Sequence, residues 1–303
     1  MQNKIIELIK LSFIPFSIIS PIPFFSCFLF LIATKYSEMN VFDFFLLFIG
    51  IIITLLSSGA SNFWNHTNDI KEDIKNNKNN VLIQNIISQN SAILISIILY
   101  SISIILVFLI SIYLNRPVYF YFLIWVIITW WYSDNFFLKR IVRFRLKTHY
   151  LGEIFTYSIA YPAYTMSIWL IFSDSITKGI VLSFLFLCFG IAGVLLKDLK
   201  DIKGDREAGL KTFGVMFAPS KLIHLACIFL IFYFFIILIA TSERIFNPMS
   251  VIIVIPFIYL IDRTYLHFSK KNWKLEIGDQ KNIKSMIMSV YSSLFLLGFT
   301  NFI

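Results

Sequence analysis

Charge is what this chain has least of. Asp, Glu, Lys and Arg make up 14% of its 303 residues, where a soluble domain carries roughly 25%. That deficit excludes a soluble globular fold for most of the chain. Cysteine is nearly absent too. Cys27, Cys188 and Cys227 all lie inside apolar stretches, which excludes a disulfide framework and reads as small buried hydrophobes. The N-terminal stretch lacks the short apolar core and small-residue cleavage site of a signal peptide. Residues 11–34 carry no charge and include Pro15, Pro21 and Pro23, so a first spanning helix kinked by proline is expected there.

What is present is long apolar sequence: 58% hydrophobic residues, with Phe alone occurring 34 times. A spanning helix needs about 20 apolar residues. Nine candidate segments meet or approach that length, at 11–34, 43–64, 90–114, 118–136, 152–173, 179–197, 219–241, 246–262 and 285–303. Backbone polar groups in hydrocarbon must be satisfied within their own segment, so these are helices and not isolated strands. The expected fold is all-α: one domain over residues 1–303, nine spanning helices in one bundle. The net charge of +9 does not point to nucleic acid, because of how it is distributed. With nine spans, only Lys35, Arg116, Lys178 and Arg244 fall on one side, and every other basic residue falls on the opposite side. By the positive-inside rule that basic side is cytoplasmic, and it includes the N-terminus.

Acidic residues concentrate in two places on that same side. After the second span, Asn65, Asp69 and Asp73 are spaced i, i+4, i+8; after the sixth, Asp198, Asp201 and Asp205 are spaced i, i+3, i+7. Each set forms one polar stripe if helical. One acidic stripe among lysines is commonly a solvated helix end. Two at matching ends of a bundle invite a cation. Oxygen-rich sites suit Mg²⁺, which takes one or two carboxylates plus substrate phosphates. Neither stripe has the alternating spacing of an EF-hand loop. A divalent-cation transporter is the rival reading, although ionisable groups in transporters usually lie near the midplane and these lie at one face.

The first stripe, within Asn65-His-Thr-Asn68-Asp69-Ile-Lys-Glu72-Asp73, resembles the N-x-x-x-D-x-x-x-D signature of the UbiA family of intramembrane prenyltransferases. The second, KDLKDIKGDREAGLKT from Lys197 to Thr212, resembles that family's D-x-x-D-x-x-G-D-R-x-x-G-x-x-T motif more closely still. The resemblance covers the whole chain, with one motif after the second helix and the other after the sixth. It implies a membrane-embedded enzyme that transfers a prenyl chain from a polyprenyl diphosphate to a lipophilic acceptor, with the active site towards the cytoplasm. Asp69, Asp73, Asp198, Asp201 and Asp205 are implied as catalytic residues that hold Mg²⁺ with Asn65. Asn65, Asn68, Lys139, Arg143, Lys147, Lys197 and Arg206 are the implied substrate-binding residues. The family's Arg-Pro pair after the first motif is missing; Asn79-Asn80-Val81-Leu82 stand there, and Lys78 is the nearest cation.

The segment after the fourth span runs from Tyr132-Ser133 through five basic residues to Leu151-Gly152-Glu153. It resembles the corresponding loop in the quinone and chlorophyll branches of the family. An aromatic quinone precursor is therefore the expected acceptor, with a glycerol-phosphate ether lipid or a chlorophyllide-like acceptor as alternatives. Any of the basic residues can equally anchor to anionic lipid. Trp125, Trp130, Trp131 and Tyr132 are expected at the lipid interface, with a substrate wall as the alternative.

Overall fold

A computed structural model describes residues 24–75 and 80–303. Lys78, Asn79 and the three N-terminal prolines expected to kink the first span lie outside these. Among the described residues every regular element is helical. The principal helices are α1 (Phe24–Ala33), α2 (Val41–Asn68), α3 (Gln89–Leu114), α4 (Val118–Ser133), α5 (Tyr150–Phe172), α6 (Ile176–Glu207), α7 (Pro219–Ser242), α8 (Pro248–Lys270) and α9 (Gln280–Phe302). Six of these, α2, α3, α6, α7, α8 and α9, are long and apolar enough to cross a membrane; α1 and α4 are shorter apolar helices. At 23 residues α5 is as long as α8, but its Tyr, Thr, Ser and Glu content makes it less apolar. It lies inside the bundle, packed on α4 and α6, with Thr156, Tyr157, Tyr164, Thr165 and Ser167 buried.

Local chemistry sets the helix starts. Asn40 opens α2 with a capping box: its side chain accepts from the Phe42 N–H at 2.8 Å, and Asp43 accepts from the Asn40 N–H at 2.9 Å. Ser88 caps α3 through the Ser91 N–H, and Pro219 begins α7, where its missing N–H costs nothing. Interior polar side chains bond helix to helix, as expected where hydrocarbon offers no other partner. Ser57 meets the Tyr164 hydroxyl at 2.7 Å and Tyr233 meets Ser293 at 2.9 Å.

Several boundaries differ from those the sequence suggests. The fourth segment stops at Ser133 and not at 136, because the Asp134 carboxylate turns to accept the backbone N–H groups of residues 136–139. It thereby caps a short basic helix, Leu138–Val142. The eighth runs on to Lys270, passing through a π-helical stretch at Ile261–Leu266. Trp125 is buried, and Trp130 packs inward on Trp64 and Tyr100.

The two longest helices overshoot the membrane most. At about 1.5 Å per residue, α6 is roughly 48 Å long and α2 roughly 42 Å, against a hydrocarbon thickness of about 30 Å. The surplus turns of both lie at one end of the bundle and carry the two acidic motifs.

Candidate active site

The first motif is not one continuous helix. α2 ends at Asn68, Asp69 adopts φ −106°, ψ 12°, and a short helix resumes over Ile70–Lys75. The Asp73 N–H still donates to the Asp69 carbonyl at 2.8 Å, so the stripe survives the break. Asp69 and Asp73 are both buried. The Asp69 carboxylate accepts from Lys147 and, at 3.3 Å, from Arg145. Arg145 reaches on to Glu72 at 2.6 Å. Burial alone would raise the Glu72 carboxyl, but the hydrogen bond and charge of Arg145 outweigh it and hold it below its ordinary value. His66 Nδ1 lies 2.9 Å from Asp73 Oδ2, and the Asn80 amide donates to the same oxygen at 3.3 Å.

The second motif stays helical throughout, as the last turns of α6. Asp198 is 1% exposed, and its Oδ2 has no hydrogen-bond partner. Asp205 is buried and accepts from the Thr212 hydroxyl at 2.9 Å. The rest of the motif explains that contact. Gly209, at φ +74°, closes α6 with a Schellman turn: its N–H bonds the Arg206 carbonyl, and the Leu210 N–H bonds the Asp205 carbonyl. The chain reverses and lays residues 212–216 back along α6. Gly214 then sits so close to Asp198 that a β-carbon there would meet the Asp198 carbonyl oxygen at 2.4 Å. Gly214→Ala is therefore expected to push this turn away from Asp198 and cut turnover at least about tenfold, with helix content by circular dichroism unchanged.

Three contacts join the two motifs into one site. Lys75 donates to the Glu207 carbonyl at the end of α6, at 2.8 Å. Lys211 N–H bonds Thr148 C=O at 2.9 Å, and Tyr150 N–H bonds Lys211 C=O at 2.8 Å. That pairing fixes the segment carrying Arg145 and Lys147 against the second motif. Beside Asp198 lies a partly buried polar group: Lys197 donates to the Tyr132 hydroxyl at 3.5 Å, Tyr132 donates to Glu153 at 3.4 Å, and the Phe213 N–H reaches the other Glu153 oxygen at 3.4 Å. Trp64 and Trp130 stack with centroids 4.0 Å apart just beneath the first motif.

The family model of the UbiA prenyltransferase family matches residues 24–277. The chain belongs to the UbiA family. It is 29% identical to an uncharacterized protein of Archaeoglobus fulgidus over 97% of this chain and 98% of that one. Its fold matches a solved digeranylgeranylglyceryl phosphate synthase with a TM-score of 0.68 at 16% identity, over 99% of both chains. It matches a UbiA homolog from Archaeoglobus fulgidus bound to GPP and Mg²⁺ with a TM-score of 0.61 at 16% identity, over 98% of this chain and 99% of that one.

Against the UbiA motifs, the placement of the individual residues is uneven. Lys147 pairs with Asp69, Asp73 lies one turn further along the first motif, and Asp198, Asp205 and Lys197 line the end of α6 with a half-buried Asp201. Asn65 accepts from Ser133 at 2.6 Å. Asn68 instead anchors the start of the next loop. Its oxygen accepts from the Asn135 N–H at 2.6 Å and its amide donates to the Trp64 carbonyl at 2.7 Å. Lys139, Arg143 and Arg206 are exposed, and Lys139 donates to Asn135. The cation that occupies the acidic pocket is Arg145, 5% exposed, which sequence spacing did not single out.

A divalent cation fits this donor set. Asp198 Oδ2 is a buried carboxylate oxygen left without a partner, a position that ordinarily calls for a cation or a donor. Among the described residues no three acidic or histidine side chains already converge at ligating spacing. Mg²⁺ does not require that, since it completes its shell with water and phosphate oxygens.

Proposed function

We propose that this protein catalyses Mg²⁺-dependent transfer of a prenyl chain from a polyprenyl diphosphate to a lipophilic acceptor. In this reading it crosses the membrane nine times, with the N-terminus and both aspartate motifs on the cytoplasmic side. The observation that carries the proposal is the meeting, at one end of the bundle, of both motifs with the buried Arg145 and the partly buried Lys147. Asp69, Asp73, Asp198, Asp201 and Asp205, with Asn65, hold the magnesium, which supplies positive charge to the departing diphosphate.

The chain's own residues do the rest. Arg145 has a buried Nε without a hydrogen-bond partner, and its guanidinium geometry suits phosphate oxygens. With Lys147 it supplies the cationic grip that the missing Arg-Pro pair leaves unfilled. The break at Asp69 sets this grip across from the second motif. The Trp64–Trp130 pair offers aromatic faces to the prenyl carbon as it becomes cationic and keeps water away from it.

The test is to incubate the reconstituted protein with labelled geranyl or dimethylallyl diphosphate, Mg²⁺ and a panel of acceptors. Release of diphosphate coupled to a new lipophilic product, and its loss on adding EDTA, are expected. Absence of Mg²⁺-dependent donor binding would sink the proposal.

A further inference from the structure

We propose that residues 137–144 form a contact surface for anionic lipid head groups, and that this contact anchors the turn which presents Arg145. The sequence between Asp134 and Glu153 contains no acidic residue. Of its five basic residues, Arg145 is buried on Asp69 and Glu72, and Lys147 pairs with Asp69. The other three, Lys139, Arg140 and Arg143, are exposed. Among the described residues none of them forms an ion pair, and Lys139 reaches the neutral Asn135 side chain at 3.1 Å.

Exposed cations alone describe a solvated helix. Here large apolar side chains alternate with them. Ile141, next to Arg140, is 78% exposed, and Phe144, next to Arg143, is 48% exposed. Water solvates the cations well and the apolar groups poorly. A membrane surface takes both: apolar side chains enter the boundary between head groups and acyl chains, while long cationic side chains reach out to phosphate. Three cations with no acid among them select an anionic surface.

The place of the segment in the fold favours a bilayer over another protein. Phe144 is tied to the flank of the bundle: the Trp131 indole N–H of α4 donates to its carbonyl at 3.3 Å, and the two rings lie 5.5 Å apart. Trp131 also meets Phe155 of α5 edge-on at 6.4 Å. Phe155 and, one turn earlier, Leu151 are exposed. An exposed apolar strip therefore runs from the side of α5 through Trp131 to Phe144. In a membrane-spanning bundle such a strip faces hydrocarbon, and a tryptophan at its upper edge marks the head-group level. Phe144 then sits at that edge with Arg143 beside it among phosphates. The next residue, Arg145, turns inward, so whatever holds Arg143 and Phe144 also holds the approach to Arg145.

Backbone amide exchange tests this in wild-type protein held in nanodiscs of phosphatidylcholine, or of phosphatidylcholine with phosphatidylglycerol. The reporters are the Arg140 N–H, bonded to the Phe137 carbonyl at 3.1 Å, and the Arg143 N–H, bonded to the Lys139 carbonyl at 2.9 Å. Exchange over residues 138–144 is expected to slow by at least about tenfold in the anionic discs, as three cations near a charged surface provide. The slowing should extend to the Thr148 N–H, which bonds the Arg145 carbonyl at 3.2 Å. The photoreactive residue p-benzoylphenylalanine placed at Ile141 should crosslink to lipid. Arg140→Glu/Ile141→Gln should remove the difference between the two discs. The wild-type comparison needs no variant, so misfolding cannot obscure it. Equal exchange in both discs overturns the contact, as does crosslinking of Ile141 to protein with none to lipid. A difference that persists in the double variant assigns the effect to the anionic bilayer at large and also overturns it. Slowing that stops at Phe144 overturns the anchoring of Arg145. None of these outcomes involves the donor or Mg²⁺, so they leave the prenyl-transfer reading to its own test.

Discussion

Asp198→Asn is expected to reduce Mg²⁺-dependent turnover by about 10³-fold, roughly 4 kcal/mol of barrier, without destabilising the protein. The two halves of this expectation come from one observation. Asp198 is almost fully buried, and its Oδ2 has no hydrogen-bond partner. An ionised carboxylate held that way is a standing cost to the fold. Asparagine has nearly the same shape and removes the charge, so the melting temperature should stay level or rise. The asparagine amide, however, cannot neutralise a divalent ion, so the charge that assists diphosphate departure is lost. Asp205 already has Thr212 as a donor, so Asp205→Asn should lose activity with a smaller gain in stability. Thermal unfolding in detergent beside a diphosphate-release assay reads both halves. A melting temperature several degrees lower in Asp198→Asn, with activity falling only in proportion to unfolded protein, would make Asp198 a structural residue.

The second motif was legible in the sequence because its geometry is local. Asp198, Asp201 and Asp205 keep helical spacing over two turns, and Gly209 sits where a helix must reverse. The first motif was legible in composition but not in conformation. Nothing in Asn68-Asp69-Ile70 announces a helix break: there is no glycine or proline, and the partners of the Asp69 carboxylate at the break, Arg145 and Lys147, are far away in sequence. The overshoot of α2 and α6 was hidden too, because hydropathy marks where apolar sequence ends and not where the helix ends. α5 illustrates the opposite effect. It falls short of the apolar content that marks the six spanning helices yet is among the best buried, since protein surrounds it.

Arg145 was the residue least accessible to sequence reasoning, and replacing it is the second experiment with a large expected effect. Five basic residues lie between 139 and 147, and spacing alone does not tell which turns inward. Tertiary geometry decides it. Asp134 starts the short helix Leu138–Val142, Arg143 ends it in a left-handed conformation at φ 66°, and the reversal buries Arg145 while leaving Lys139, Arg140 and Arg143 exposed. Arg145→Met is expected to raise the donor KM by about 100-fold through loss of a charged hydrogen-bonding group worth roughly 2–3 kcal/mol. It should also lower the melting temperature, because Glu72 then keeps its burial without the guanidinium at 2.6 Å. The two effects separate in a double variant: adding Glu72→Gln should restore stability and leave donor KM high. Arg145→Lys should fall between, keeping the charge but not the planar fork. The pH dependence gives an independent check. Arg145 holds the folded Glu72 pKa below its unfolded value, so the pair's contribution is full above the unfolded value and fades as pH falls through the folded one. The stability gap between wild type and Arg145→Met should therefore narrow in acid. A gap that is constant with pH would mean that Arg145 stabilises by packing alone, and an unchanged donor KM would remove it from the diphosphate grip.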